Sequence, residues 1–185
     1  MCIRDRFPGG FGTQDEAFES LTLIQTGKSG IVPVVMVDHP GGDYWHSWDQ
    51  YIHQHLVRKG LVSADDPSLY VITISIDVAC DVITSFYRVY HSSRFVGDRL
   101  VMRLNSPLPE GAVEKLNDQF CDLLTPGGHI ETATVHPKEI GDGTEHMPRL
   151  AMDFNQRDYG RLYQLIGALN EFSDRISTNY HPEQK

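Results

Sequence analysis

Apolar residues recur at helical spacing at Ala17, Phe18, Leu21 and Ile24, which predicts a helix over about 13–26, with Gly27 in the place of a C-terminal cap. The run IVPVVMV at 31–37 is continuously apolar and of strand length, as expected of a parallel strand buried on both faces. Pro33 puts the first part of that run outside the hydrogen-bonded ladder. After the loop DHPGGD (38–43) come a helix at about 47–59 closed by Gly60, a short strand at 70–74, and a helix at about 77–90 with Val78, Val82 and Phe86 along one side. Helix and strand alternate throughout this part, so it reads as an α/β parallel sheet covered by helices. Beyond HSSRFVGD (91–98) the rhythm changes. A strand at 99–104, a helix at 110–124, strands at 129–136 and 149–155 and a helix at 158–172 give a β-α-β-β-α order, that of a small α+β appendage. The polar end STNYHPEQK is read as a frayed tail.

Composition narrows the partners more than the fold. A formal net charge of −9 argues against broad binding to nucleic-acid backbone, which needs clustered Lys and Arg to displace counterions. A small phosphate ligand stays open, because backbone amides hold one without cationic side chains. No apolar run reaches the ~18 residues of a membrane span, and MCIRDR has no apolar core of a secretory signal. Cys2, Cys80 and Cys121 are odd in number and far apart, so no disulfide framework or zinc site is indicated, and a reducing cytoplasm is the default expectation.

The stretch that carries chemistry is PGGFGT. Gly9, Gly10 and Gly12 remove Cβ atoms, so the backbone is free to take positive φ and to approach a ligand closely. A helix begins at once, and its unpaired N–H groups and dipole aim at the loop. Together these suit a phosphate, with Thr13 adding a hydroxyl. Thr13-x-x-Glu16 is equally a capping box, worth about 1 kcal/mol and needing no ligand. Spacing alone does not separate the two.

Pro8-Gly9-Gly10-Phe11-Gly12-Thr13-Gln14-Asp15-Glu16 resembles the PGGxGTxxE signature of the LOG (Lonely Guy) family, and the similarity continues through the apolar strand, WHSWDQYI and GLVSADDPSLYVI to about Val96. The resemblance implies the C-terminal part of a Rossmann-type parallel sheet, usually in a homodimer. It also implies hydrolysis of the N-glycosidic bond of a purine nucleoside 5′-monophosphate, AMP or N6-substituted AMP, to free base and ribose 5-phosphate, with no metal or organic cofactor. By the same resemblance Gly9, Gly10, Gly12 and Thr13 hold the 5′-phosphate, and Glu16 is the catalytic carboxylate that faces the ribose. A fixed anion there stabilises the positive charge left on the sugar as the base departs, and it is placed to orient the attacking water. Family members often carry the label "lysine decarboxylase", but Lys28, the only lysine near the loop, suits a helix-end dipole partner better than a Schiff base. A non-catalytic nucleotide-sensing module is the alternative from another class, and an inactive remnant the third.

Such proteins carry an apolar strand just before PGG and an upstream MxxRK motif whose arginine takes part in catalysis. MCIRDR is too charged for a central strand, and Arg4 and Arg6 do not match that motif. The expected organisation is therefore a foreign or truncated start at 1–6, a partial LOG-like domain at 7–98, the appendage at 99–173 and the tail at 174–185. A half sheet of this kind is expected to leave 31–37 with an open edge and a bare apolar face.

The remaining candidates are weaker. His53 and His55 are two apart on a predicted helix and point to different faces, and His46 precedes it, so no metal site is expected. Trp45, Trp48, Tyr51 and Ile52 form a stripe that suits packing, or an aromatic lent to a dimer interface. Asp38 and His39 end the buried strand, where α/β proteins place ligand contacts, or are plain polar loop residues. Arg88 and Arg94 within FYRVYHSSRF suit a basic surface better than a phosphate site.

Overall fold

The computed structural model describes residues 4–141 and 143–178, with side chains except at 138 and 173–178. Residues 1–3 of the expected foreign start and 179–185 of the expected tail lie outside the described residues. The chain forms two compact units, one made of the described residues up to Ser85 with Gln156–Gln164, the other of Phe86–Asn155 with the described residues from Leu165 on.

The first unit is the α/β part. Strands β1 (Arg4–Arg6), β2 (Val34–Val37) and β3 (Tyr70–Thr73) form a parallel sheet in the order β1-β2-β3, with Arg4 beside Val34 and Val34 beside Tyr70. Helices α1 (Phe11–Gln25), α2 (Tyr44–Tyr51) and α3 (Ile76–Phe86) follow the strands. α2 runs on as a π-helical segment, Ile52–Val57, and a 3₁₀ turn at Asp66–Leu69 leads into β3. The middle strand is the apolar one. Val35 and Val37 pack with Ala79, Val82 and Ile83 of α3, and the pleat sends Val34 and Met36 to the opposite face. Each such side chain contributes about 1.5–3 kcal/mol on burial.

Two expectations are corrected here. The charged stretch Arg4–Arg6 does join the sheet, but as its edge, where Asp5 stays exposed and Arg4 and Arg6, half-buried, both donate to Ser20 Oγ. β2 therefore has a neighbour on each side, and residues 31–37, expected to show an open edge and bare face, are all buried. As Pro33 predicted, the ladder starts at Val34, and the Pro33 carbonyl only accepts from the Arg4 N–H. Gly27 takes φ +67° just past the end of α1, and a Cβ there would lie 2.0 Å from the Tyr159 hydroxyl, so both backbone and space call for glycine.

The second unit holds an antiparallel sheet in the order β4-β5-β7-β6, from β4 (Tyr90–Val96), β5 (Arg99–Leu104), β6 (Ile130–Ala133) and β7 (Arg149–Met152). With it go α4 (Ala112–Gln119) and the part of α5 (Tyr159–Thr178) from Leu165 on. Residues 90–96, expected in part as a helix end and a connecting loop, are a strand paired antiparallel with β5 from Tyr90 to Val96. That pairing moves the boundary from 98 to Ser85 and turns the expected β-α-β-β-α order into β-β-α-β-β-α. α5 also continues to Thr178, into the segment assigned to the tail. Leu116, Phe120, Leu123, Phe154, Leu165 and Leu169 are fully buried in this unit.

Three polar side chains organise its interior. Buried Asn170 accepts from the Val89 and Tyr90 N–H groups (2.8 and 3.2 Å) and donates to the Phe86 carbonyl (2.8 Å). Asn117 of α4 pairs with both the N–H and the carbonyl of Ile130, closing that point of the β6 edge as a neighbouring strand would. Glu139, with no exposed side-chain surface, accepts from Arg103 through Oε1 (Nε 3.1 Å, Nη2 2.8 Å) and from Arg149 Nε through Oε2 (3.3 Å).

Candidate functional site

In a parallel sheet the carboxyl ends of all strands lie at one end, where ligands of open α/β folds bind. The loop after β1, Phe7–Gly10, and the loop after β2, 38–43, both start there. α1 opens directly on the first of these loops. Gly10 is its N-cap in extended backbone (φ −84°, ψ −156°), and its carbonyl accepts from Thr13 N (3.1 Å) and Gln14 N (3.3 Å). No side chain caps the helix. The Thr13–Glu16 capping box is thus not formed, and the N–H groups of the first turn, which no helix satisfies internally, are left to the loop.

The glycines act differently from the sequence expectation. None of Gly9, Gly10 and Gly12 has positive φ. Their role is space. A Cβ on Gly9 would lie 2.2 Å from Thr13 Oγ1, so the threonine hydroxyl sits against this glycine. Around Gly10 and Gly12 a Cβ would meet nothing within 4 Å, so the backbone there is bare and open. Glu16 lies four residues on from Gly12 and hence on the same side of the helix. Its carboxylate is 64% exposed and pairs with Arg6 Nε at 3.8 Å. Arg6 itself is mostly buried and donates to Ser20 Oγ (3.1 Å), as does Arg4 (3.1 Å). The structure therefore brings Gly9, Gly10, Gly12, Thr13 and Glu16 onto one helix start.

Tyr44 is a residue that the sequence pattern missed. α2 begins three residues earlier than the 47 expected, which carries the Tyr44 ring to the loop. Its hydroxyl donates to the Gly9 carbonyl (2.7 Å) and accepts from Gln14 Nε2 (2.5 Å). These two bonds tie the glycine loop to the start of α2. The signal was an aromatic immediately after the turn DHPGGD, with nothing in its spacing to say that it reaches back 35 residues.

The other candidates resolve into structure. Asp38 is buried, and its carboxylate accepts from the N–H groups of His39 (2.9 Å) and Trp45 (3.2 Å), holding the turn into α2. A Cβ on Gly42 would fall 2.2 Å from Asp38 Oδ1, so the glycine makes room for that carboxylate. His39 and His46 are exposed, and His53 lies 3.6 Å from Asp49. Among the described residues no three His, Cys, Asp or Glu side chains are grouped so as to hold a metal ion. Trp45 and Trp48 are buried in a ring cluster that runs from Tyr44 through Trp45 and Trp48 to Phe18 and Tyr70, and Ile52 is buried too, so these three form the packing face expected of the stripe, whereas Tyr51 is half exposed. Tyr70 donates to Asp49 Oδ1 (2.6 Å), and burial together with that carboxylate pushes its phenol well above the usual value. Arg88 and Arg94 belong to the second unit, Arg94 in β4. No helix among the described residues is long and apolar enough to cross a membrane.

Residues 6–84 match a family model described as "Possible lysine decarboxylase", a stretch that takes in the glycine loop, α1, β2, α2, β3 and most of α3. No curated protein matches the chain.

Proposed function

We propose, from the match of residues 6–84 to a family described as "Possible lysine decarboxylase" and the resemblance of that stretch to the Lonely Guy proteins, that the chain hydrolyses the N-glycosidic bond of a purine nucleoside 5′-monophosphate, AMP or an N6-substituted AMP. The observation that carries the proposal is the uncapped start of α1, with bare backbone at Gly10 and Gly12 and a carboxylate one turn further on. The 5′-phosphate binds to the first-turn N–H groups and the Thr13 hydroxyl, as anions do at helix N-termini. The ribose then lies along the first turn, beside Glu16. As the bond to the base breaks, positive charge develops on the sugar, and the Glu16 carboxylate stabilises it and orients the water that attacks the anomeric carbon. Water's oxygen is bonded to that carbon in the product ribose 5-phosphate, and the base leaves with a proton. No metal or organic cofactor has a step in this scheme.

The family's decarboxylase label fits the site poorly. The loop is built to take an anion, and Lys28 is exposed in the turn beyond the far end of α1, about 22 Å along a helix of 15 residues. Phe11 (96% exposed) and Phe7 (56%) flank the loop as bare apolar surface, which supports a second copy of the chain closing over the site in a homodimer. A cytoplasmic setting suits a nucleotide substrate.

The test is release of free adenine from AMP, followed by chromatography, for the chain and its Glu16→Gln variant. Release is expected from the first and a loss of turnover of about 100-fold or more in the second, with AMP binding retained. Binding without release in both would overturn hydrolysis in favour of a nucleotide sensor.

A further inference from the structure

The peptide that joins Gly9 to Gly10 lies where α1 opens, and one residue outside that helix decides which way it faces. Every described peptide bond is trans, so the Gly9 carbonyl and the Gly10 N–H point in opposite directions. The carbonyl accepts from the Tyr44 hydroxyl (2.7 Å). The Gly10 N–H is therefore turned away from Tyr44. Like those of Phe11 and Gly12, it has no acceptor among the described residues.

A peptide between two glycines is the easiest in a chain to turn over. Turning it changes ψ at Gly9 and φ at Gly10, and neither residue has a Cβ to resist positive φ. It would then present a carbonyl oxygen where it now presents an N–H. Tyr44 opposes this from a firm base. Its ring meets that of fully buried Trp45 edge-on (4.8 Å between centroids), and the Trp45 N–H donates to buried Asp38. Gln14 Nε2 donates to the Tyr44 oxygen, which leaves the one hydroxyl proton for the Gly9 carbonyl. Gln14 is two residues from both Gly12 and Glu16, hence about 160° round α1 from each, so the brace leaves their side of the helix open.

We infer that Tyr44 is the positioning residue of the glycine loop: its hydroxyl holds the Gly9–Gly10 peptide with the N–H turned to the substrate's phosphate. The inference rests on the reading of this loop as the seat of the 5′-phosphate. Tyr44 acts through the backbone and touches no reacting atom. A phosphate oxygen accepts the N–H that no protein group satisfies, whereas a carbonyl in its place would repel the anion.

The probe is ribose 5-phosphate, titrated into the full chain by calorimetry. Tyr44→Phe keeps the ring on Trp45 and removes only the hydroxyl. It should weaken binding about tenfold, the loss of one hydrogen bond to a charged group. Gly10→Ala supplies the discriminating background. At φ −84° alanine is unstrained and its Cβ meets nothing within 4 Å, but turning the peptide over would force positive φ on it. Whatever Gly10→Ala costs by itself, Tyr44→Phe should add about twofold or less to it. A general loosening of the fold would cost the same in both backgrounds. In the free protein, Tyr44→Phe should also broaden the Gly10 amide signal and leave those of α3 unchanged. Equal losses in the two backgrounds, or an unchanged Gly10 signal should Gly10→Ala abolish binding, would overturn the role of Tyr44. Wild-type binding that Tyr44→Phe does not weaken would overturn it too, and would leave the phosphate site standing. If neither ribose 5-phosphate nor AMP binds the wild type, both readings fall. The expected coupling without release of adenine from AMP would uphold Tyr44 and overturn hydrolysis alone.

Discussion

Replacing Glu139 by alanine removes the carboxylate that lies between two buried arginines. Its side chain has no exposed surface, that of Arg149 is 1% exposed and that of Arg103 11%. Deleting one member of a buried ion pair typically costs about 3–5 kcal/mol, because the remaining charge stays desolvated. Here two features limit the loss. Arg149 keeps its bonds to the carbonyls of Met147 (2.6 Å), Thr144 (2.9 Å) and Glu145 (3.4 Å), and Arg103 lies close enough to the surface to turn towards water. We therefore place Glu139→Ala at the lower end, about 3 kcal/mol, and Glu139→Gln, which keeps an acceptor but no charge, at about half of that. In a unit of this size 3 kcal/mol lowers the midpoint of thermal unfolding by about 12–24 °C, measurable by circular dichroism on the full chain. The pH dependence gives a second check. Burial alone would raise the Glu139 pKa, but the hydrogen bond from Arg103 and the charges of both arginines outweigh it and hold the carboxyl below its ordinary 4.5. A lowered pKa contributes stability that is complete above pH 4.5 and is lost as pH falls through the folded value. The wild type should therefore lose stability relative to Glu139→Gln only on the acid side of 4.5. A Glu139→Ala midpoint within a degree or two of wild type would show that the arginines do not need this carboxylate.

Two further substitutions test the site and the second unit. Gly9→Ala puts a methyl where the Thr13 hydroxyl sits, 2.2 Å away, so AMP affinity should fall about tenfold by calorimetry while the pairing of Gly9→Ala with Thr13→Ser recovers little, the oxygen being the atom in the way. Asn170→Leu strands two buried N–H groups and one carbonyl at the start of β4, which should cost about 3 kcal/mol and speed hydrogen exchange at Val89 and Tyr90 above all other strand amides.

How far the sequence carried the fold depended on whether a segment's own pattern decided its fate. Residues 99–104, apolar in the middle and flanked by arginines, form a strand with just those bounds, and the apolar run at 34–37 could only be buried. Arg4–Arg6 and Tyr90–Val96 went unseen because an edge strand and a half-exposed strand owe their conformation to a partner rather than to alternation. That the glycine loop and Glu16 share one helix start was legible because they are contiguous. Tyr44 was not, since the bond that makes it part of the loop spans 35 residues. The same holds for Glu139, whose partner Arg103 is 36 residues away, and for Asp66 and Gln25 at 41. Register between distant segments decides such meetings, and local composition carries no record of it. The freedom to take positive φ that Gly9, Gly10 and Gly12 offer is not used. Absence of a side chain serves a helix start equally well by leaving the backbone uncovered.

The membership of Gln156–Gln164 in the first unit bears on how the chain is made. Tyr159 lies where a Cβ on Gly27 would fall, and Gln164 donates to Asp65 Oδ1 (3.0 Å) and Ser68 Oγ (2.7 Å), so the α/β unit is finished by residues translated long after its last strand. At ribosomal speeds of about 5–20 residues per second, that leaves a nascent sheet waiting several seconds for its closing piece. During that interval the glycine loop, Phe7–Gly10, is already synthesised. A chain cut anywhere between 86 and 155 would remain permanently in that unfinished condition.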